Sequence, residues 1–142
     1  RRIQTEVLKR RKYKLILNQQ NFCELKITMQ IYQESGGKMS KYCMIEIAFD
    51  NMDEVKKVVD ILLSERLVAS AHIIESNSSW NWKDKRENAK EFLLQLKTRT
   101  ENQKNIYEIV KNIHSYECFE FAVYELNSIN VDYLKWIDEE TN

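Results

Sequence analysis

Hydrophobic residues between positions 41 and 140 recur with two different periods, and the order of these periods constrains the fold more than any other feature. Alternation or a continuous apolar run predicts a strand, and a spacing of three to four residues predicts a helix. The strand-like segments are 41–49, 68–76, 91–100 and 117–126, and the helix-like segments are 51–66, 100–114 and 131–140. The order β-α-β-β-α-β, followed by a short C-terminal helix, is that of a ferredoxin-like α+β fold.

The two long helices are predicted both in their placement and in their starting residues. Right-handed crossovers place them on one face of a four-stranded antiparallel sheet, so the other face must meet a ligand, a nucleic acid or another subunit. Each helix begins with residues of capping-box type, Asn51 with Glu54 and Thr100 with Gln103. We expect these side chains to satisfy the first free backbone N–H groups.

A boundary is predicted at Gly36 and Gly37, because the chain has no other glycine and no proline. Residues 1–38 hold nine of the 22 basic side chains and three of the 22 acidic ones, so their formal charge is +6 and that of the remaining chain is −6. We therefore predict a basic N-terminal extension over 1–38 and a ferredoxin-like domain over 39–142. The extension is interpreted either as a loosely attached, disordered segment or as an organelle-targeting segment, since an Arg-rich, acid-poor front is typical of transit peptides.

Composition and motifs exclude several classes of protein. The longest apolar runs are far shorter than the roughly 20 residues of a membrane helix, which predicts a soluble chain without a transmembrane segment. The three cysteines, Cys23, Cys43 and Cys118, form no paired motif, and this suits a reducing compartment such as the cytoplasm. The sequence has no glycine-rich phosphate loop and no aromatic RNA-binding strand motif, so we expect neither nucleotide chemistry nor specific nucleic-acid binding.

Residues 112–121, NIHSYECFEF, concentrate side chains able to bind a metal ion. His114 falls at the end of the second long helix, where the helix dipole favours an imidazolium and the ring can meet free carbonyls. Cys118 and Glu120 stand two residues apart on a predicted strand and therefore share a face. Together with His114 they could hold a soft divalent ion, although the paired spacing of a zinc site is missing. His72 is expected to be a packed or surface residue.

Two tryptophans, Trp80 and Trp82, stand in the polar stretch 77–90, which is predicted to connect the second and third strands. Aromatic side chains in such a connection either pack back on their own domain or anchor an interface, where tryptophan is enriched. The composition of the stretch leaves both interpretations open.

Four separated motifs, SSWNWKDK, EFLLQLKT, IHSYECFEF and DYLKWIDEE, follow in an order and spacing that resemble the CutA family of divalent-cation tolerance proteins over about residues 42–140. The resemblance implies a compact homotrimer, similar in architecture to the PII signalling proteins, with no catalytic reaction and no required cofactor. It also implies a link to tolerance of copper and other divalent metals. A further implication is a role in regulatory or anchoring interactions, such as that with membrane acetylcholinesterase in animals.

The resemblance also assigns side chains to sites. The residues that it places in or near an intersubunit cleft are Trp80, Trp82, Glu91, Lys97, Tyr116, Tyr133 and Trp136. The Cys, His and Glu described as metal ligands in bacterial members fall on Ile47, Ile113 and Glu120, of which only the glutamate can bind a metal. Any metal site, with Cu²⁺ as the favoured ion, is therefore expected to be weak and improvised from Glu120, His114 and Cys118.

Two other classes of function stay open on the sequence alone. An enzyme or a sensor of a small ligand would use the same intersubunit cleft, near which the resemblance clusters the candidate acids and bases Glu91, Lys97, His114, Tyr116 and Glu120. Lys97 could bind an anion or be an ordinary solvated lysine. A sensor would show saturable binding without turnover, which separates it from an enzyme.

Overall fold

A computed structural model of the chain describes residues 40–142. The predicted extension over 1–38 lies outside the described residues, so its role and the boundary beside it stay predictions. The described strands are β1 (Tyr42–Phe49), β2 (Ser70–Trp82), β3 (Lys85–Arg99) and β4 (Ala122–Glu125), and the described helices are α1 (Met52–Ser64), α2 (Gln103–Ile113) and α3 (Val131–Glu140). None of these helices is long and apolar enough to cross a membrane.

The strands form one antiparallel sheet in the order β2-β3-β1-β4, which confirms the predicted ferredoxin-like α+β fold. Alternate side chains of β1 and β3 are buried beneath α1 and α2, so both helices cover the same face, as predicted. The core formed there contains Cys43, Ile45, Ile47, Phe49, Val55, Val58, Leu62, Leu94, Leu96, Ile106 and Val110. The opposite side of the sheet, which carries Met44, Glu46 and Ala48 of β1 and their cross-strand neighbours, is called the open face below.

The start of α1 confirms Asn51 as its capping residue. The Asn51 Oδ1 atom accepts hydrogen bonds from the backbone N–H groups of Asp53 at 2.8 Å and Glu54 at 3.4 Å. The reciprocal half of the predicted capping box is wrong, because the Glu54 carboxylate accepts instead from the N–H of Ser115 at 3.1 Å. Glu54 therefore links the beginning of α1 to the segment after α2.

The end of α1 is tied to the end of α3 through Arg66. Arg66 has a left-handed backbone (φ 55°), and the N–H of Leu67 donates back to the Leu62 carbonyl at 2.9 Å, which closes the helix as a Schellman motif. The Arg66 guanidinium donates to the Glu139 carbonyl, and the N–H of Asn142 donates to the Arg66 carbonyl at 2.9 Å. These bonds hold the C-terminal end of α3 against the turn between α1 and β2.

The predicted capping box at the start of α2 is wrong. Thr100–Asn102 form a single 3₁₀ turn, and α2 begins at Gln103 without a side-chain cap. The Thr100 hydroxyl donates instead to the Ser40 carbonyl at 2.7 Å. This long-range bond joins the end of β3 to the start of β1. The Thr100 hydroxyl makes it in place of the local cap that the sequence favours.

The polar stretch 77–90 is a continuation of β2 and β3, so its prediction as a connecting loop is wrong. The two strands pair without interruption from Ser70 opposite Lys97 to Trp82 opposite Lys85. Lys83 and Asp84 make the turn with left-handed backbones (φ 46° and 64°), the geometry of a tight type I′ hairpin. Apart from the half-buried Ser78 and Trp80, all residues of this stretch are exposed, and they are mostly polar. Such a stretch carries no clear hydrophobic period, which explains why the pattern resembled a loop.

The last strand is shorter than its pattern predicts. β4 covers only Ala122–Glu125 and pairs with β1 from Cys43 to Glu46. The rings of Phe119 and Phe121 instead lie 5.8 Å and 5.2 Å from the ring of Tyr107 on α2. Packing of these aromatic side chains against α2 takes the backbone away from the edge of β1, so residues 114–121 are irregular.

Replacing Asp84 by glycine is expected to stabilise the protein by about 1 kcal/mol, because a left-handed backbone costs a residue with a Cβ atom about that much. Urea denaturation of the wild-type chain and of Asp84→Gly measures the difference. Ala89→Gly, at an extended position in the same hairpin, is the matched control and should lose stability. If Asp84→Gly were less stable than the wild type, the Asp84 side chain would contribute more than its backbone conformation costs.

Candidate functional site

The open face is covered at one end by α3 and exposed elsewhere. The Tyr42 hydroxyl of β1 donates to Asp138 of α3 at 2.8 Å, and the Tyr133 hydroxyl of α3 lies 3.3 Å from Ser70 Oγ of β2. Tyr124 on β4, at the other edge of this face from β2, is 47% exposed. A ligand or a partner can therefore reach the part of this face that α3 leaves uncovered.

Three carboxylates, Glu46, Glu91 and Glu120, lie within electrostatic reach of one another at the open face. Glu91 is only 7% exposed and accepts a 2.8 Å hydrogen bond from the Tyr116 hydroxyl, while Glu46 accepts one of 2.8 Å from Gln95 Nε2. Burial, followed by the negative charges of Glu46 and Glu91, raises the pKa of the Glu120 carboxyl. Burial and the bond to Glu91 raise the pKa of the Tyr116 hydroxyl, which keeps it protonated and donating.

Glu46 is the member of this acidic group that the motifs do not single out. It is the one charged residue within β1, between Ile45 and Ile47, which are both fully buried. A carboxylate in the middle of an apolar strand must either be paired or lie on the face that the core does not use. That isolated charge is the sequence signal that could have identified it.

His114 is a packing residue at the end of α2. Its ring lies 4.3 Å from that of Phe49 and 4.8 Å from that of Phe119, nearly parallel to both. Its Nε2 atom is 2.8 Å from the Ala48 carbonyl, and its Nδ1 atom accepts from the N–H of Tyr116 at 3.1 Å. The two bonds define the tautomer, because only Nε2 can carry the hydrogen that the carbonyl accepts.

The expected imidazolium at this position is wrong. Burial lowers the pKa of His114, and the bond to Ala48 and the charges of Glu54, Asp50 and Glu91 only partly oppose it. The neutral ring is therefore the favoured form, and it meets a carbonyl of β1 rather than the free carbonyls of its own helix.

The three proposed metal ligands lie in different surroundings. His114 uses both ring nitrogens within the protein, Cys118 is an exposed free thiol, and Glu120 is exposed near the other carboxylates. Cys118 and Glu120 are not on a strand, so the inference that they share a strand face is wrong. Between residues 40 and 142 no three His, Cys, Asp or Glu side chains come close enough to hold an ion. Ile47 lies in the core, and the metal role of the three residues stays a prediction.

Lys97 lies half-buried on the open face, on β3 directly opposite Ser70 of β2 and Met44 of β1. Its Nζ atom is 3.3 Å from Nδ1 of His72, which is an exposed residue of β2. About six residues of strand separate it from Glu91, a distance of roughly 20 Å. The cationic and acidic parts of the proposed cleft are therefore separate within one chain.

The aromatic residues assigned to an interface are partly exposed. Trp80 and Trp82 lie on the same side of β2, and Trp82 is 38% exposed with the Lys83 ammonium 5.2 Å from its ring. On α3, the rings of Tyr133 and Trp136 lie 5.3 Å apart. Their role between subunits stays a prediction, because it concerns contacts beyond a single chain.

The antiparallel β2-β3-β1-β4 sheet, with α1 and α2 on one face and an acidic open face on the other, defines a small ferredoxin-like α+β protein. Its β2–β3 hairpin continues well past the end of β1. The family model described as CutA1 divalent ion tolerance protein matches residues 43–140. The chain belongs to this family, which confirms the resemblance seen in its motifs.

Individual relatives agree with this assignment. The chain is 35% identical over 98 residues to the divalent-cation tolerance protein CutA of Pyrococcus horikoshii, covering 69% of this chain and 96% of the relative. It is 32% identical over 85 residues to the protein CutA homolog of Xenopus laevis, covering 59% of this chain and 56% of the relative. The crystal structure of Pyrococcus horikoshii CutA1 matches with a TM-score of 0.67 and 33% identity, covering 70% of this chain and 98% of that one. Oryza sativa CutA1 matches with a TM-score of 0.68 and 26% identity, covering 73% and 96%.

The lowered pKa of His114 predicts that acid destabilises the fold. The neutral ring is favoured in the folded state, so this stabilisation is fully present above the unfolded pKa of about 6.5 and is lost as the pH falls through the lower folded value. Proton NMR of the two histidine rings should give a titration midpoint for His114 below about 6.5, with His72→Gln assigning the signals. A His114 midpoint above that value would contradict the packing described for its ring.

Proposed function

We propose that this protein acts as a non-enzymatic homotrimer of PII-like architecture in divalent-metal tolerance, with weak Cu²⁺ binding and a surface for regulatory or anchoring interactions. Membership of the divalent ion tolerance family supports the general role. The structural observation that carries the proposed assembly is the β2–β3 hairpin. A cytoplasmic location is part of the proposal and is supported by the free thiols of Cys43 and Cys118, while the Archaeoglobus fulgidus relative is itself named a periplasmic protein.

The β2–β3 hairpin lacks a core of its own. Every residue from 81 to 90 is exposed, and an isolated two-stranded hairpin is only marginally stable in water. β2 is also an edge strand, and edge strands offer a row of backbone groups that can pair with another chain. A neighbouring copy would cover both the exposed hairpin and the free edge of β2. The hairpin therefore supports self-assembly, and the family resemblance implies that three copies assemble.

Large apolar side chains mark the surface that such a neighbour would cover. Ile74 and Trp82 lie on the same side of β2 and are 43% and 38% exposed. Tyr124, at the other edge of the open face, is 47% exposed. Partly exposed aromatic and aliphatic residues of this kind typically become the central anchors of an interface.

The surroundings of His114 and Tyr116 support a non-enzymatic role. A general base needs a nitrogen or oxygen that is free to take a proton from a substrate. Both ring nitrogens of His114 are engaged inside the protein, and the Tyr116 hydroxyl is held as a donor to Glu91. Proton transfer at either residue would require breaking contacts that pack the end of α2.

Weak copper binding is supported by the exposure of Cys118 and Glu120. A thiol and a carboxylate that project from an irregular segment can both reach an ion without disturbing the core. Cu²⁺ exceeds Zn²⁺ in general affinity for such ligands, so copper is the favoured ion even without a matched geometry. Binding should weaken as the pH falls, because the ligands must be deprotonated.

Light scattering coupled to size-exclusion chromatography should give the mass of three chains. Trp82→Ala should weaken the assembly by about 2–4 kcal/mol, which is typical of an interface tryptophan. Leu63→Ala, which removes a 43% exposed apolar side chain from α1 on the other side of the sheet, is the matched control and should leave the mass unchanged. A wild-type chain that is monomeric at micromolar concentration would rule out the proposed trimer.

Calorimetric titration should show that the wild-type protein binds Cu²⁺ more tightly than Zn²⁺, with neither ion reaching the affinity of a structural zinc site. A Cys118→Ser/Glu120→Gln double variant should lose most of the heat measured on Cu²⁺ binding. Glu75→Gln, which neutralises an exposed carboxylate of β2, is the control for non-specific loss of charge. A stoichiometric, submicromolar zinc site that disappears in the double variant would contradict weak, opportunistic binding.

A further inference from the structure

Lys97 is a cation without an acidic partner in the described part of the chain. Lys97 is half-buried at the open face, and its Nζ atom lies 3.3 Å from Nδ1 of His72. The ion pairs between residues 40 and 142 are Lys41–Asp138, Arg66–Glu140, Lys83–Glu117 and Arg99–Glu101. A partly desolvated ammonium that lacks a counter-ion attracts an anion.

Two hydroxyl groups stand beside this ammonium. Ser70 pairs directly with Lys97 across β2 and β3, and residues in that position have Cβ atoms about 4.5–5.5 Å apart. Ser70 Oγ lies 3.3 Å from the Tyr133 hydroxyl of α3. In such a pair one hydroxyl donates to the other, so the second O–H remains available to a ligand. Lys97 and the two hydroxyl-bearing residues are therefore neighbours where α3 meets the open face.

Two carboxylates near this position in the fold accept hydrogen bonds from other groups. Glu46, in the next row of the open face, accepts from Gln95 Nε2 at 2.8 Å. Asp138 of α3 accepts on its Oδ2 atom from Lys41 Nζ and from the Tyr42 hydroxyl, both at 2.8 Å, while its buried Oδ1 atom has no hydrogen-bond partner among the described residues. Neither carboxylate comes within ion-pair distance of the lysine, so the positive charge stays available.

We propose that Lys97, together with Ser70 and Tyr133, binds the carboxylate of a small organic monoanion. The ammonium pairs with one carboxylate oxygen, and the free hydroxyl hydrogen is donated to the other. One positive charge suits a monoanion better than a phosphate dianion. Arg99, two residues further along β3, adds no second charge because it is paired with Glu101 at 3.0 Å.

The remainder of the ligand meets an aromatic surface. The ring of Tyr133 lies 5.3 Å from that of Trp136, which is 36% exposed. This neighbourhood favours a carboxylate attached to an aromatic or other apolar body. The site requires no metal ion and uses neither Cys118 nor Glu120, so it goes beyond the metal-tolerance role proposed above.

Benzoate is a suitable probe, and neutral benzamide is its uncharged counterpart. Saturation-transfer NMR with the full chain, in buffer freed of metal ions by a chelating resin, measures both affinities. We expect saturable benzoate binding at millimolar concentration and at least about tenfold weaker binding of benzamide. Inorganic phosphate, added as a competitor, should displace benzoate only at higher concentration than benzoate itself.

Substitutions of Lys97 and Tyr133 test where benzoate binds. Lys97→Met removes the charge with little change of length and should weaken benzoate binding at least about tenfold, and Tyr133→Phe should weaken it about threefold. Lys90→Met is the matched control, because Lys90 is an exposed lysine of β3 on the opposite side of the sheet. The affinity of the Lys90→Met variant for benzoate should equal that of the wild type.

Three results would overturn the proposal. The first is no benzoate binding by the wild-type chain at about 10 mM. The second is affinity that is unchanged in both Lys97→Met and Tyr133→Phe, which would place the ligand elsewhere. The third is tighter binding of phosphate than of benzoate, which would exclude a site built for a monocarboxylate. None of these results depends on copper binding.

Discussion

The antiparallel register of β1 against β3 is the constraint on which the rest of the structure depends. It sets Ile45 opposite Leu96 on the core face and Glu46 opposite Gln95 on the open face. A shift of one residue would carry the Glu46 carboxylate into the core and bring buried isoleucine out, and burying an unpaired charge costs several kcal/mol. Because the register is so strongly specified, the positions of the functional side chains on the open face are specified with it.

One consequence is that the open face carries opposite charges at its two ends. Glu91 and Lys97 both project from β3 to this face, roughly 20 Å apart along the strand. The acidic end, with Glu120 nearby, attracts cations and repels anions, and Glu46 lies between the two ends. The end beneath α3 has the opposite character, since its lysine has no carboxylate in contact among the described residues. The proposed metal ion and the proposed organic anion would therefore use different side chains of this face.

The segment after α2 shows how packing decides which side chains remain available for chemistry. Phe49 and Phe119 enclose the His114 ring, and its two nitrogens are held by Ala48 and Tyr116. These contacts anchor the irregular chain that leads into β4. The histidine that the motif offers as a ligand therefore packs against the core, while Cys118 stays exposed.

The sequence by itself determined the fold class and the capping of α1 by Asn51, because these depend on hydrophobic periods and local hydrogen bonds. Its four motifs indicated the family by resemblance. Only the tertiary structure decided that 77–90 forms a hairpin. Most of these residues are exposed, so their sequence has no hydrophobic period that would predict two paired strands. The tertiary structure also decided that β4 is short and that burial lowers the pKa of His114. Both outcomes arise from contacts between residues far apart in the chain, such as Phe49 with His114, and no local pattern encodes such contacts.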